Sequence, residues 1–172
     1  MLRSSCLSLI SLLLLFSLVA APAIAAEPTP AADTAVVEES EPVPAGLASP
    51  RATMDSFLGA MNDIKRGDPE RITAALATLD LSEVNALVRG ERGADLAWML
   101  LDVMDRTRLV NLKKVPARTK GKPWVFAEYE AGAVRIRAQP DGRWLFDRET
   151  VQSLPAIYEE LSDQAPVVGD DA

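Results

Sequence analysis

The chain has no histidine and only one cysteine among its 172 residues. Without an imidazole there is no Ser-His-Asp or Cys-His relay, and zinc and copper sites lose their usual donors. The one thiol, Cys6, has no partner with which to close a disulfide, so the fold depends on its own core. Also missing are a Gly-rich phosphate loop, a calcium-loop pattern and a Ser-x-x-Lys element. Carboxylate pairs and hard-metal oxygen sites remain chemically open, but no residue pattern marks one. The expectation is a protein that is not an enzyme and carries no cofactor.

What is present begins with an export signal. Arg3 supplies one positive charge, Leu7 to Ala20 form an apolar run broken only by serines, and Ala23-Ile24-Ala25 is a small-x-small cleavage site. The run is shorter than the roughly 20 residues of a membrane helix and is followed by Pro22. Residues 1–25 therefore read as a signal peptide cleaved near Ala25, and the protein as periplasmic or secreted. Cys6 precedes the apolar run, where a lipoprotein signal needs its cysteine after it, so no lipid anchor is expected. Cleavage leaves a mature chain with neither Cys nor His.

Composition divides that mature chain into three parts. Residues 26–48 are rich in Ala, Pro, Glu and Val, without a positive charge or a hydrophobic period, which reads as a disordered linker. Residues 49–162 carry the periodic apolar positions and all three tryptophans, as one globular domain does. An acidic tail, 163–172, follows. All 17 basic residues of the mature chain lie within 49–162, together with 17 of the 25 acidic ones. The domain is thus neutral, and the acidity of the chain sits in its tails.

Within the domain, Ser49 and Pro50 cap a first helix with Met54, Phe57, Leu58, Met61 and Ile64 on one face, ending near Gly67. Asp68-Pro69 opens a second with Ile72, Leu76 and Leu79. A third is expected from about Ala94 to Thr107, with Leu96, Met99, Leu100, Val103 and Met104 inward. Trp98 and Leu101 lie on its other side, beside a solvated acidic edge of Asp102 and Asp105. Residues 124–129 and 134–137 read as strands joined by the two-residue turn Ala131-Gly132. That register sets Tyr129 against Val134, Ala127 against Ile136 and Glu128 against Arg135. Pro140-Asp141-Gly142 returns a third strand with Trp144 and Phe146 inward, and Asp147 caps a last helix in which Pro155 makes a kink or a late start. The predicted class is α+β: three N-terminal helices on a three-stranded antiparallel meander, closed by a C-terminal helix.

Ser49-Pro50-Arg51-Ala52 with Phe57-Leu58, Leu79-Asp80-Leu81-Ser82, Leu96-Ala97, and 103–107 follow one another in a recognisable order. Gly142-Arg143-Trp144-Leu145-Phe146, Thr150-Val151 and 154–159 complete it. In this the domain resembles the periplasmic N-terminal domain of small-conductance-type mechanosensitive channel proteins. The resemblance covers nearly the whole domain. It departs in the basic segment 106–122 and in the absence of the membrane helices that follow the domain in those channels. It implies an extracytoplasmic, non-catalytic, interaction or regulatory role without implying ion conduction.

Two surfaces stand out as binding candidates. Arg106, Arg108, Lys113, Lys114, Arg118, Lys120 and Lys122 form a run of seven positive charges with no acid between them. Such a run suits anionic headgroups, at about 1 kcal/mol per basic residue near the surface. A solvated loop neutralised by acids from elsewhere in the fold is the plainer explanation. Nucleic acid is not expected, since no aromatics interleave with the charges. The predicted outer sheet face would carry Trp124, Phe126, Arg135, Arg137, Arg143 and Leu145, a composition typical of interface hot spots. The expected partners are an envelope membrane protein or an anionic membrane surface. The alternative function is a small-ligand module with a pocket between sheet and helices lined by Trp98, Trp124 or Trp144.

Overall fold

The computed structural model describes residues 42–167. The expected signal peptide, most of the linker and the end of the acidic tail lie outside that range. Among the described residues the fold is α+β, with four helices and one three-stranded antiparallel sheet. Helix α1, Pro50–Lys65, begins as its sequence dictates: Ser49 Oγ accepts from the Ala52 amide at 3.1 Å, and Pro50 occupies the first turn. A 3-10 turn, Pro69–Arg71, leads into the short α2, Ile72–Leu76. Leu79 is therefore not helical as expected. It forms an isolated parallel bridge with Phe146, fixed by Phe146 N donating to Thr78 O and Asp80 N to Phe146 O, both at 2.9 Å.

Helix α3, Arg89–Thr107, starts five residues before the expected Ala94. Gly93 lies where it passes α2: a Cβ there would stand 2.9 Å from Leu81 Cδ1 and 3.1 Å from Leu76 Cγ, so a small residue permits the close approach. Leu101 is buried and not on an outer edge, whereas Trp98 is exposed. Helix α4, Arg148–Glu160, is capped by Asp147, whose Oδ1 accepts from the Thr150 amide at 2.8 Å, and it accommodates Pro155 in its interior.

Strands β1 (Trp124–Tyr129), β2 (Gly132–Ala138) and β3 (Trp144–Phe146) form the expected meander, but the first hairpin differs in register. The turn is Glu130-Ala131, so Tyr129 pairs with Gly132, Glu128 with Ala133 and Ala127 with Val134. An irregularity between Val125 and Ala127 then leaves Phe126 as the extra residue, and Val125 pairs with Arg135. One inserted residue reverses the facing of everything before it. Trp124 is consequently opposite Ile136, Phe126 is 3% exposed, and Val125 takes the outward position. Phe126 and Leu145, both expected on an outer face, are buried.

The core gathers Phe57 and Met61 from α1, Leu100 and Met104 from α3, Ile136, Trp144 and Phe146 from the sheet, and Leu154 and Ile157 from α4. Phe57 and Phe146 meet edge to face with centroids 5.4 Å apart. Each such side chain contributes about 1.5–3 kcal/mol by leaving water. The packed structure also extends past the expected boundaries. Leu47, in a 3-10 turn Ala45–Leu47, is buried, and Val167 N donates to Asp105 O at 2.7 Å. Residues assigned to the linker and tail by composition thus belong to the fold at both of its ends.

Candidate interaction surface

The segment 108–122 leaves α3 and returns to β1 with little regular structure of its own, so its backbone is held by side chains. Arg51, in the first turn of α1, donates from Nε to Val115 O at 2.8 Å, and its amide donates to Pro116 O at 3.1 Å. Asn111 Oδ1 accepts from Lys113 N at 3.0 Å and opens the 3-10 turn Leu112–Lys114. Arg118 Nη2 donates to Lys122 O at 2.6 Å and its guanidinium lies 5.9 Å from the Trp144 ring centroid. Trp144 Nε1 donates to Thr119 O at 3.3 Å. The loop is thereby stitched to α1 and β3.

The seven cations of the run have separate fates. Arg106 is structural: its Nε donates to Asp102 at 2.7 Å, and its Nη1 to the carbonyls of Leu161, Ser162 and Gln164 at 3.1, 2.8 and 2.8 Å. Arg108 donates to Phe126 O and stacks on that ring with 4.7 Å to its centroid, so its position is fixed while its charge stays at the surface. Lys113, Lys114, Lys120 and Lys122 are exposed, and among the described residues none of the four forms an ion pair.

Two of these cations, Arg108 and Lys114, line a cleft of about 260 Å³ together with Leu109, Val110, Asn111, Val115, Trp124 and Phe126. No lining residue is acidic. Leu109 is 58% exposed at its edge, and the Trp124 and Phe126 rings lie 6.3 Å apart in its wall. The run and part of the aromatic strand, singled out separately in the sequence, therefore form one surface. Sequence reasoning missed Leu109, Val110 and Arg51. The first two carried a readable signal, an apolar dipeptide amid basic residues, but Arg51 becomes part of the loop only through the tertiary fold.

The remaining candidates do not join this surface. Asp147 is 3% exposed and lies 3.3 Å from Arg135 Nε and 3.1 Å from Arg137 Nη2, while Glu149 pairs with both arginines. Arg135 therefore pairs with the start of α4, and the expected Glu128 partner faces Ala133 instead. Arg143 is occupied by Asp141 at 2.7 Å. Burial acts to raise the Asp141 pKa, but the Arg143 amide and guanidinium together hold it below its ordinary value. Asp102 and Asp105, the acids near Trp98, are paired with Arg106 and Lys65. Tyr129 is pushed above its ordinary pKa by burial, against the opposing pull of its 2.7 Å hydrogen bond to Thr107 and of the Arg108 charge.

Trp144 is fully buried and Trp98 lies on the exposed side of α3, whereas Trp124 lines the cleft. Among the described residues no group of Cys, Asp or Glu side chains is arranged to hold a metal ion, and no helix is long and apolar enough to cross a membrane. No family model, curated protein or solved structure matches the chain.

Proposed function

We propose that this chain is an exported, non-catalytic interaction domain that docks on an anionic membrane surface, or on an acidic face of an envelope membrane protein, through its 108–122 loop. The observation that carries the reading is the set of four exposed lysines without ion-pair partners among the described residues, beside a cleft whose only charged lining residues are basic. The fold neutralises Arg106, Arg135, Arg137 and Arg143 internally and leaves these four lysines, all in the 108–122 loop, without an ion pair among the described residues. The resemblance to a domain that sits above a channel's membrane part agrees with it. The small-ligand reading has less support, because large core side chains occupy the space between sheet and helices.

The test is co-sedimentation of the mature protein with anionic and with neutral vesicles across a salt series. Binding to the anionic vesicles alone, weakening as salt shortens a Debye length of about 8 Å, is the expected result. Substituting Glu at Lys113, Lys114, Lys120 and Lys122 should abolish it. Wild-type protein that ignores anionic vesicles at low salt removes the lipid version of the proposal.

A further inference from the structure

We infer that the basic loop has an occupant within its own chain: the acidic segment Asp33 to Glu41 that immediately precedes the described domain. Three observations carry this. The first is chemistry. The segment contains Asp33, Glu38, Glu39 and Glu41 with no basic residue, and Val36-Val37 lie beside those glutamates. The loop offers the complement, lysines beside an apolar cleft walled by Val110, Val115 and Trp124.

The second is where the chain enters the fold. Val43 Cγ2 packs against Gly142, 2.9 Å from where a Cβ on that residue would stand. Two residues further on, Trp144 donates its indole N–H to Thr119, between Arg118 and Lys120. Glu41 and Glu38 precede Val43 by two and five residues, an extended reach of at most about 18 Å. Pro42 and Pro44 favour an extended path, and Pro44 adopts one, with φ −54° and ψ 134°.

The third is that many of the other cations already have acidic partners. The Arg135–Arg137 pair already faces Asp147 and Glu149, Arg66 and Arg71 share Asp63, and Arg148 meets Glu83. Tethering raises the local concentration of the segment to the millimolar range, so weak charge–charge contacts suffice to populate the docked form. On the proposed reading of the loop as a membrane-docking surface, the segment competes with the membrane for the same lysines. It acts as a built-in counter-charge.

Zero-length carbodiimide crosslinking of the mature chain at low concentration and low salt, followed by peptide mapping, tests the docking without any membrane. The chain has five lysines, and Lys65 lies 3.6 Å from Asp105, so that pair is an internal positive control. Links from Glu38, Glu39 or Glu41 to Lys113, Lys114, Lys120 or Lys122, within one chain and lost at high salt, are expected. A Lys65–Asp105 link without any of these overturns the inference, as do links found only between differently isotope-labelled chains.

A second arm tests the competition. If the docked form is about nine-tenths populated, the E38Q/E39Q/E41Q variant should bind anionic vesicles about tenfold more tightly than wild type. Equal affinity overturns the competition. Intramolecular links in a protein that never binds vesicles would sink the membrane reading while supporting the docking.

Discussion

Arg135 and Arg137 on β2 carry the same charge as Lys113 and Lys114 in the loop. They differ in what the fold places opposite them. The arginines face Asp147 and Glu149 at the start of α4, where the same Asp147 carboxylate caps the helix and receives the Thr150 hydroxyl at 2.7 Å. The lysines face solvent. A positive residue in a neutral domain is either consumed by the architecture or available to a partner, and only its three-dimensional surroundings decide which.

The comparison breaks most visibly at Asp147. Replacing it with Ala removes the α4 cap, worth about 1 kcal/mol, and strands two partly buried arginines that lose their best-buried counter-charge. Because both arginines keep some solvent and Glu149, the total should be roughly 2–4 kcal/mol, below the upper range for a fully buried pair. Urea denaturation would show this as a lower midpoint with an unchanged slope. A loss under about 0.5 kcal/mol would mean that the two cationic regions do not differ.

Arg106 sharpens the comparison from inside the basic run. Its side chain is held by Asp102 and by three carbonyls around the end of α4, so Arg106→Ala should cost about 1–2 kcal/mol. It should also accelerate amide exchange across residues 161–167 while leaving vesicle binding nearly intact. Lys114→Ala should do the reverse. Two neighbours in one charge run would then separate into a fastener and a contact.

Part of this was legible in the sequence, and the physics explains which part. Ser49-Pro50, Pro140-Asp141-Gly142 and Asp147 act on backbone groups within four residues, so their caps and turn are readable locally; Gly142 adopts the expected positive φ of 86°. Trp124 to Tyr129 reads as a strand, but its alternation cannot show that Phe126 is an inserted residue, because a bulge depends on the partner strand. The spacing of Leu79 is helical, but a tertiary bridge to Phe146 overrides that spacing. The first turn of α3 was hidden by Gly90 and Gly93, the latter there for close packing. For the candidate surface, the basic run was visible as charge. The division of that run was not, since the carbonyls that hold Arg106 lie more than fifty residues away.

Tyr129 reports how far the loop's charge reaches inward. Its folded pKa is raised by burial, and the Arg108 charge opposes that rise. A raised folded value means that the native state holds this proton more tightly than the unfolded chain does. The corresponding stability is present in full below the unfolded value near 10 and is lost as pH climbs through the folded one. Tyr129→Phe should flatten that alkaline decline. Arg108→Gln should move the Tyr129 phenolate transition, followed by ultraviolet absorbance, further upward. A downward move would show that Arg108 does not act on the hydroxyl as a charge.

The smallest expected effect is the most discriminating. Lys113, Lys114, Lys120 and Lys122 are exposed and unpaired among the described residues, so changing all four to Glu in the E38Q/E39Q/E41Q background, where the acidic segment no longer competes for them, should alter stability by under about 0.5 kcal/mol. The same four substitutions are the ones expected to abolish vesicle binding. Those two outcomes together define a surface that the fold does not use for itself. Were the melting curve of this variant to fall as far as that of Asp147→Ala, the lysines would be neutralising acids of the fold after all. The distinction between consumed and available charge would then fail at the residues on which the proposed function rests.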